Sequence, residues 1–223
     1  MENITENNLS ENNFAEVSGV VSTQPVITHE KSGESFYEFA VSVERNSGTE
    51  DYIPICISER LFQNGGLPQV GGRFSAVGQF RSYNKFNEKT KRNSLILSFF
   101  VRRLKEECKN NINSLKLIGY VCKPPIYRST PFNREICDIL VAVNRPFDKS
   151  DYIPCIAWGR NAKFVSGMRV GTKLEMEGRI QSRLYQKQEE GEENPVQKMA
   201  YEISLASVKK LEGEKEGQIS YIN

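Results

Sequence analysis

Apolar and polar residues alternate with period two in several short stretches of the chain, and the stretches come in pairs one hundred residues apart. Phe39, Val41 and Val43 alternate with polar or small neighbours, and Ile139, Val141 and Val143 do the same. Further on, Phe74, Ala76, Gly78 and Phe80 are matched by Leu174, Met176, Gly178 and Ile180. Period two sends alternate side chains to opposite faces, so each stretch predicts a strand with one face buried. In the second half the predicted strands are 116–121, 138–143, 152–158, 173–180 and 201–207. A short helix, 161–165, falls between the third and fourth and stops before Gly167. In the first half Ser58 predicts an N-cap for a helix over 59–63, with Gly65 as its stop.

The pairing extends from rhythm to identity. Asp51-Tyr52-Ile53-Pro54 recurs as Asp151-Tyr152-Ile153-Pro154, and Gly19, Val21, Pro25, Val41, Val43, Arg45, Arg60, Val70, Gly71, Gly78 and Ser82 meet identical residues at the same offset. That makes 15 gap-free identities between 17–82 and 117–182, where ordinary composition supplies roughly four by chance. The chain is therefore read as a tandem duplication. Five short strands with a helix between the third and fourth are the elements of an OB-fold, a Greek-key barrel. The predicted class is all-β, two tandem OB-folds over 14–108 and 114–212, with a polar linker at 109–113 and frayed tails at 1–13 and 213–223. Pro54 and Pro154 fall inside the third strand of each repeat, where a missing N–H predicts an edge, a bulge or the barrel's opening. Gly78 and Gly178 predict the tight bend a small barrel needs.

Composition narrows the function classes. With 223 residues, 26% charged and 38% apolar, the chain is ordinary for a globular protein, neither disordered nor collagen-like. No apolar run reaches the roughly 18 residues of a membrane span, and 1–13 lacks a signal-peptide pattern, so a cytoplasmic protein with no membrane partner is expected. Cys56, Cys108, Cys122, Cys137 and Cys155 are odd in number and scattered, which predicts neither a disulfide framework nor a thiolate metal site. His29 is the only histidine, so multi-histidine metal sites are excluded and triad hydrolases have a single possible base. The expectation is a protein without cofactor or metal that is not an enzyme.

Charge changes the picture through its distribution. The net charge is only +2, yet 79–105 carries Arg81, Lys85, Lys89, Lys91, Arg92, Arg102, Arg103 and Lys105 against Glu88 alone. Such a local excess attracts a polyanion. In the third strand of the second repeat, Ile153, Cys155 and Ala157 share the parity that suits an interior, leaving Tyr152, Pro154, Ile156 and Trp158 on the other face. Exposed rings suit unpaired bases, which stack for about 1–3 kcal/mol each. The same rings could instead cap the barrel or fill an interface. Arg145, Lys149, Arg160, Lys163, Arg179, Arg183 and Lys187 surround them at strand ends and loops, where phosphate contacts are made. The loop 83–92 adds Tyr83, Lys85, Phe86, Lys89, Lys91 and Arg92 between strands four and five, while its longer counterpart holds the repulsive run Glu189, Glu190, Glu192 and Glu193.

Three runs of the second repeat then carry a resemblance. Ala142-Val143-Asn144-Arg145-Pro146-Phe147, Ala157-Trp158-Gly159-Arg160-Asn161-Ala162 and Glu177-Gly178-Arg179-Ile180-Gln181-Ser182-Arg183-Leu184-Tyr185 stand in order and at a spacing that resembles the bacterial single-stranded DNA-binding protein family, over roughly 114–212. The first repeat looks like a diverged copy, through Gly78-Gln79-Phe80-Arg81-Ser82-Tyr83. The resemblance implies sequence-independent binding of single-stranded DNA in replication, recombination or repair, with stacking on Phe147, Tyr152, Trp158 and Tyr185. Ser47 and Ser58 replace two of these rings in the first repeat, leaving Tyr52, Tyr83 and Phe86. Arg145, Lys149, Arg160, Arg179, Arg183 and Lys187, with Arg81, Lys85, Lys89, Lys91 and Arg92, are the candidate phosphate ligands. The family commonly presents four OB-folds per particle, which implies a homodimer. The C-terminal run 218–223 lacks the aspartates of the family's acidic tip, so recruitment of replication or repair proteins by that route is not expected.

Two other classes stay open on the residues alone. One is a primosomal-type OB-fold whose aromatic face grips protein, and it predicts DNA binding that does not grow with oligonucleotide length. The other is an OB-fold nuclease, for which Asp148 and Asp151 are close in sequence but lack companion acids at strand ends.

Overall fold

The computed structural model describes residues 12–62, 66–88, 91–188 and 195–212. The predicted tails apart from residues 12 and 13, Gly65, Lys89 and the acidic run 189–193 therefore lie outside the described residues. In the first half the strands are β1 (Asn13–Val21), β2 (Val26–Lys31), β3 (Glu34–Glu44), β4 (Glu50–Ser58), β5 (Arg73–Asn87) and β6 (Arg92–Leu104). The second half repeats them as β7 (Ile112–Val121), β8 (Ile126–Ser129), β9 (Glu135–Arg145), β10 (Lys149–Trp158), β11 (Lys173–Lys187) and β12 (Val196–Lys210), with α1 (Arg160–Ser166) between β10 and β11.

In each half five strands close into a barrel. The ladder runs β3-β4-β6-β5-β1, and β1 returns to β3 at Val20 and Val21; the second half closes the same way through β7 and β9. This is the expected OB-fold, all-β and duplicated, with one addition. The short strands β2 and β8 pair only with β3 and β9 and are exposed along their whole length, so no buried parity announced them. The helix predicted over 59–63 is a single 3-10 turn, Glu59–Leu61; Ser58 does cap it, accepting from the Arg60 amide.

The parity argument holds along β4 and β10. Ile53, Ile55 and Ile57, like Ile153, Cys155 and Ala157, are at most 2% exposed and join Phe80, Phe99, Leu174, Met176 and Ile180 in the core. The cysteines are free thiols, with Cys56, Cys137 and Cys155 buried. The prolines sit at the barrels' openings, as expected. Their position in the strand alternation faces away from β3, and on that side β4 meets β6 only at Ile55 and Cys56, so an N–H at Pro54 would have no ladder partner. β5 and β11 each carry a register shift, at Val77/Gly78 and Glu177/Gly178. There the chain bends so close to the next strand that a Cβ on Gly78 would lie 2.2 Å from the Phe100 carbonyl oxygen, and one on Gly178 2.3 Å from that of Ser204.

The two barrels form one sheet. β1 and β7 pair antiparallel from Asn13↔Leu117 to Ser18↔Ile112, and Ala15 faces Leu115, its own equivalent in the other repeat. The pairing is thus self-complementary about a local two-fold axis, the pattern of an isologous interface, here within one chain. Each half also donates an asparagine to the seam. The Asn13 side chain gives a hydrogen bond to the Phe80 carbonyl (2.8 Å) and takes one from its amide (3.0 Å). Asn113 does the same with Ile180 (2.7 and 2.9 Å). The predicted linker and the end of the predicted N-terminal tail are accordingly structured: Asn13 is buried within β1, β7 begins at Ile112, and the Arg73 guanidinium ties down the Cys108 and Asn110 carbonyls.

Gly178→Ala tests the close approach at the bulge. It is expected to lose about 1–3 kcal/mol of stability by overpacking, read from the midpoint of urea unfolding at unchanged slope.

Candidate nucleic-acid interface

The buried charges of the molecule lie at the seam and place the nearby arginines. Asp51 and Asp151 are both fully buried, and each is satisfied by the opposite barrel. Asp51 on β4 accepts from the Ser182 amide of β11 (2.9 Å) and from Arg179 Nη1 (2.6 Å), with Arg45 of its own barrel completing the cluster through Nε (2.7 Å) and Nη2. The Tyr52 amide in turn donates to Ser182 Oγ at 2.9 Å. The reverse exchange joins the Ser82 amide to Asp151 (2.8 Å) and the Tyr152 amide to Ser82 Oγ (2.7 Å).

The two halves of this exchange differ in their cations. Arg145 Nε lies 3.2 Å from Asp151 Oδ2, at ion-pair distance but not aligned as a hydrogen bond. The second cation is missing there because Gln79 occupies the place of Arg179. The arginine of the first repeat is two residues further on, at Arg81, where its Nε and Nη2 donate to Gln79 Oε1 (3.0 and 2.6 Å) and its guanidinium covers the Phe100 ring at 3.9 Å. Burial, reinforced by Arg145 and Arg102, pushes Arg81 down to about 10. Burial likewise holds the Asp151 carboxyl above the ordinary aspartate range, against the opposing pull of the Ser82 amide, Arg145 and Arg81.

The aromatic candidates all stand outside the barrels. Tyr152 is 43% exposed and shares the outer face of β10 with half-buried Trp158. Tyr185 is half-buried on β11 with the Arg183 guanidinium 6.0 Å from its ring centroid. Phe147 is 92% exposed in the turn between β9 and β10, where it and Asp148 both take positive φ, 64° and 52°. On the first barrel Tyr52, Tyr83 and Phe86 are exposed. Around them Lys149, Arg160, Arg183, Lys187, Lys85 and Lys91 are exposed, whereas Lys163 pairs with Glu135 (2.9 Å). Arg145 and Arg179 are drawn into the seam with the buried aspartates. Arg92 is described only in its backbone, paired with Asn87.

The loop expected over 83–92 is instead the outer part of a β-ribbon. Tyr83–Asn87 continue β5, Arg92 opens β6, and the pairs run from Tyr83↔Ile96 to Asn87↔Arg92. The ribbon stands clear of the barrel, so both of its faces meet solvent and alternation carries no signal. The same holds for β11 beyond Ile180 and for the start of β12.

Sequence reasoning also missed an exchange of bulk between the repeats. Ser58 replaces Trp158 and Cys56 replaces Ile156, but the flanking strands enlarge: Phe36, opposite Ser58, stands where the second repeat has Ile136, and Phe100 beside Cys56 where it has Ser204. Phe36 and Phe100 approach to 6.1 Å between centroids, and His29 stacks on Phe36 at 4.8 Å with the planes 2° apart. A comparison confined to one strand sees only the lost tryptophan; the register of three strands is needed to see the rings return.

These features define a tandem OB-fold protein with aromatic and basic outer faces. The profile of the Single-strand binding protein family matches residues 112–211. A Listeria innocua protein, single-stranded DNA-binding protein 3, is 32% identical over 115 residues, 48% of this chain and 68% of its own. Single-stranded DNA-binding protein 1 of Staphylococcus aureus is 34% identical over 85 residues, 35% of this chain, and the match spans only 51% of that relative's length. The chain belongs to the single-strand binding protein family. In fold it is similar to the wild-type single-stranded DNA binding protein from Thermus aquaticus, at a TM-score of 0.70 over 92% of this chain and 96% of that one, with 16% identity.

The unequal cation supply at the seam has a measurable consequence. Asp51→Asn leaves Arg45 and Arg179 without their carboxylate and is expected to cost about 3 kcal/mol or more. Asp151 has a folded value above its unfolded one, so any stability linked to its protonation is complete at low pH and declines as pH rises through the folded value. Asp151→Asn removes that decline and is expected to cost clearly less than Asp51→Asn at neutral pH. Urea unfolding of both variants across pH measures it, and equal losses contradict the asymmetry.

Proposed function

We propose that this chain coats single-stranded DNA without base preference, as a non-enzymatic component of replication, recombination or repair in the cytoplasm. The observation that carries this reading is the pairing of Tyr152 and Trp158 on the outer face of β10, both open to solvent above a filled core, within the segment that matches the family profile. Bases stack on such rings, and cations at the strand ends take the phosphates. Phe147 and Tyr185 extend the stacking surface of the second barrel; Tyr52, Tyr83 and Phe86 serve the first. Lys149, Arg160, Arg183 and Lys187, with Arg81, Lys85, Lys89, Lys91 and Arg92, are the phosphate ligands. Arg145 and Arg179 contribute field from the seam while they hold the buried aspartates. The units that bind are the barrels 14–108 and 114–212, and two chains associate to present four of them. The printed names of the relatives, single-stranded DNA-binding proteins, agree with this reading.

Trp158 is the sole tryptophan and reports directly. Oligo-dT is expected to quench its fluorescence, with affinity rising with oligonucleotide length and falling with salt at a slope near −0.7 per phosphate neutralised. Trp158→Ala is expected to weaken binding by about 1–3 kcal/mol, and Ser58→Ala by far less. Equal affinities of the two variants, or binding indifferent to length, would overturn the assignment.

A further inference from the structure

The first barrel has lost the tryptophan of β10 but not an aromatic outer face. With β4 reduced to Cys56 and Ser58, both buried, the rings of Phe36 and Phe100 close over it from β3 and β6. His29, exposed on the edge strand β2, lies parallel on Phe36, and Arg81 lies on Phe100 at the opposite end of the series. Phe36 is only 9% exposed, so His29 is the ring that an incoming flat ligand meets. Arg81 makes no ion pair among the described residues. Its hydrogen bonds go to neutral Gln79, and its charged neighbours are Arg102, Arg145 and an Asp151 already engaged by Ser82 and Arg145. A column of stacked rings that ends in an uncompensated, half-buried guanidinium has the chemistry of a base-and-phosphate site.

We propose that this surface is a second site for single-stranded DNA, displaced by a strand to either side of the one on the second barrel. A base stacks on the open face of His29, and a phosphate further along the same strand sits at Arg81 with Arg102. The two barrels then differ in which strands carry the rings, β10 in one and β2, β3 and β6 in the other, rather than in whether they bind. This inference rests on the single-stranded DNA reading above.

The test uses the full chain and two surface variants. His29→Ala is expected to weaken binding of a long oligo-dT about fivefold, the lower end of what one stacked base supplies. Arg81→Gln, which installs the residue found at Gln181, is expected to lower the salt slope by about 0.7. Unchanged urea midpoints separate these losses from unfolding. Oligo-dT carrying 5-iodouracil, cross-linked by light and mapped by mass spectrometry, is expected to mark 26–36 or 95–102 as well as the second barrel. If the unaltered chain binds and quenches Trp158 while both variants keep its affinity and salt slope and cross-links stay on the second barrel, this site is refuted and the function stands. If the unaltered chain does not bind oligo-dT, both fall.

Discussion

A carboxylate buried without partners is too costly to keep ionised, and Asp51 and Asp151 are fully buried at the junction of the barrels. Each obtains its donors from across the seam: a serine amide from the other repeat, and for Asp51 also the other repeat's arginine. Neither barrel could keep its aspartate in this setting alone. The antiparallel pairing of β1 with β7 brings the strands together, and the aspartate exchange fixes their angle and register. The orientation of every outer-face residue on β4 and β10 follows, because Tyr52 and Tyr152 are the immediate neighbours of the aspartates and donate their own amides to the same serines.

This accounts for which residues the repeats have kept. Asp51-Tyr52-Ile53-Pro54, Arg45, Ser82 and their equivalents are most of the polar identities between the halves, and nearly all of them sit at the seam. The rings of the outer faces have drifted. An interface that is its own partner under a two-fold operation constrains both copies together, since a change in one half strands a group in the other. A stacking face has no such constraint, because any ring of suitable size and exposure presents a flat apolar surface. Bulk could therefore move from β4 to its neighbours in the first repeat without loss of an aromatic face.

The strands whose one face is buried were legible from alternation, and so was the duplication; the fold class followed from these. The parity of Ile153, Cys155 and Ala157 against Tyr152 and Trp158 could be read before any coordinate, because a filled interior allows only one register. The strands β2 and β8 and the ribbon beyond Ser82 could not, since they have no buried face and so no period. The roles of Arg145 and Arg179 were hidden for a different reason. A cation beside aromatic residues looks the same in sequence whether its anion arrives from solvent or from a carboxylate more than 100 residues away, and Arg179 meets Asp51 across 128 positions. Asp151 carried the signal that could have helped: an aspartate at the inward parity of a strand otherwise apolar there must find its donors somewhere.

The displacement of one arginine by two residues has an electrostatic consequence that joins the seam to the outer faces. In the second repeat Arg179 is spent on Asp51, and Gln181 occupies the outer position. In the first repeat Gln79 leaves Asp151 with Arg145 alone, while Arg81 is moved onto the face, over Phe100. The seam on the Asp151 side therefore holds one positive charge fewer, and the face of the first barrel one more, at no change in the number of cations in the chain. A nearly neutral molecule thus acquires a local field by placement alone. The barrel that has lost its tryptophan is the one that gains the free guanidinium, so weaker stacking on one strand is offset by charge and by rings supplied from its neighbours.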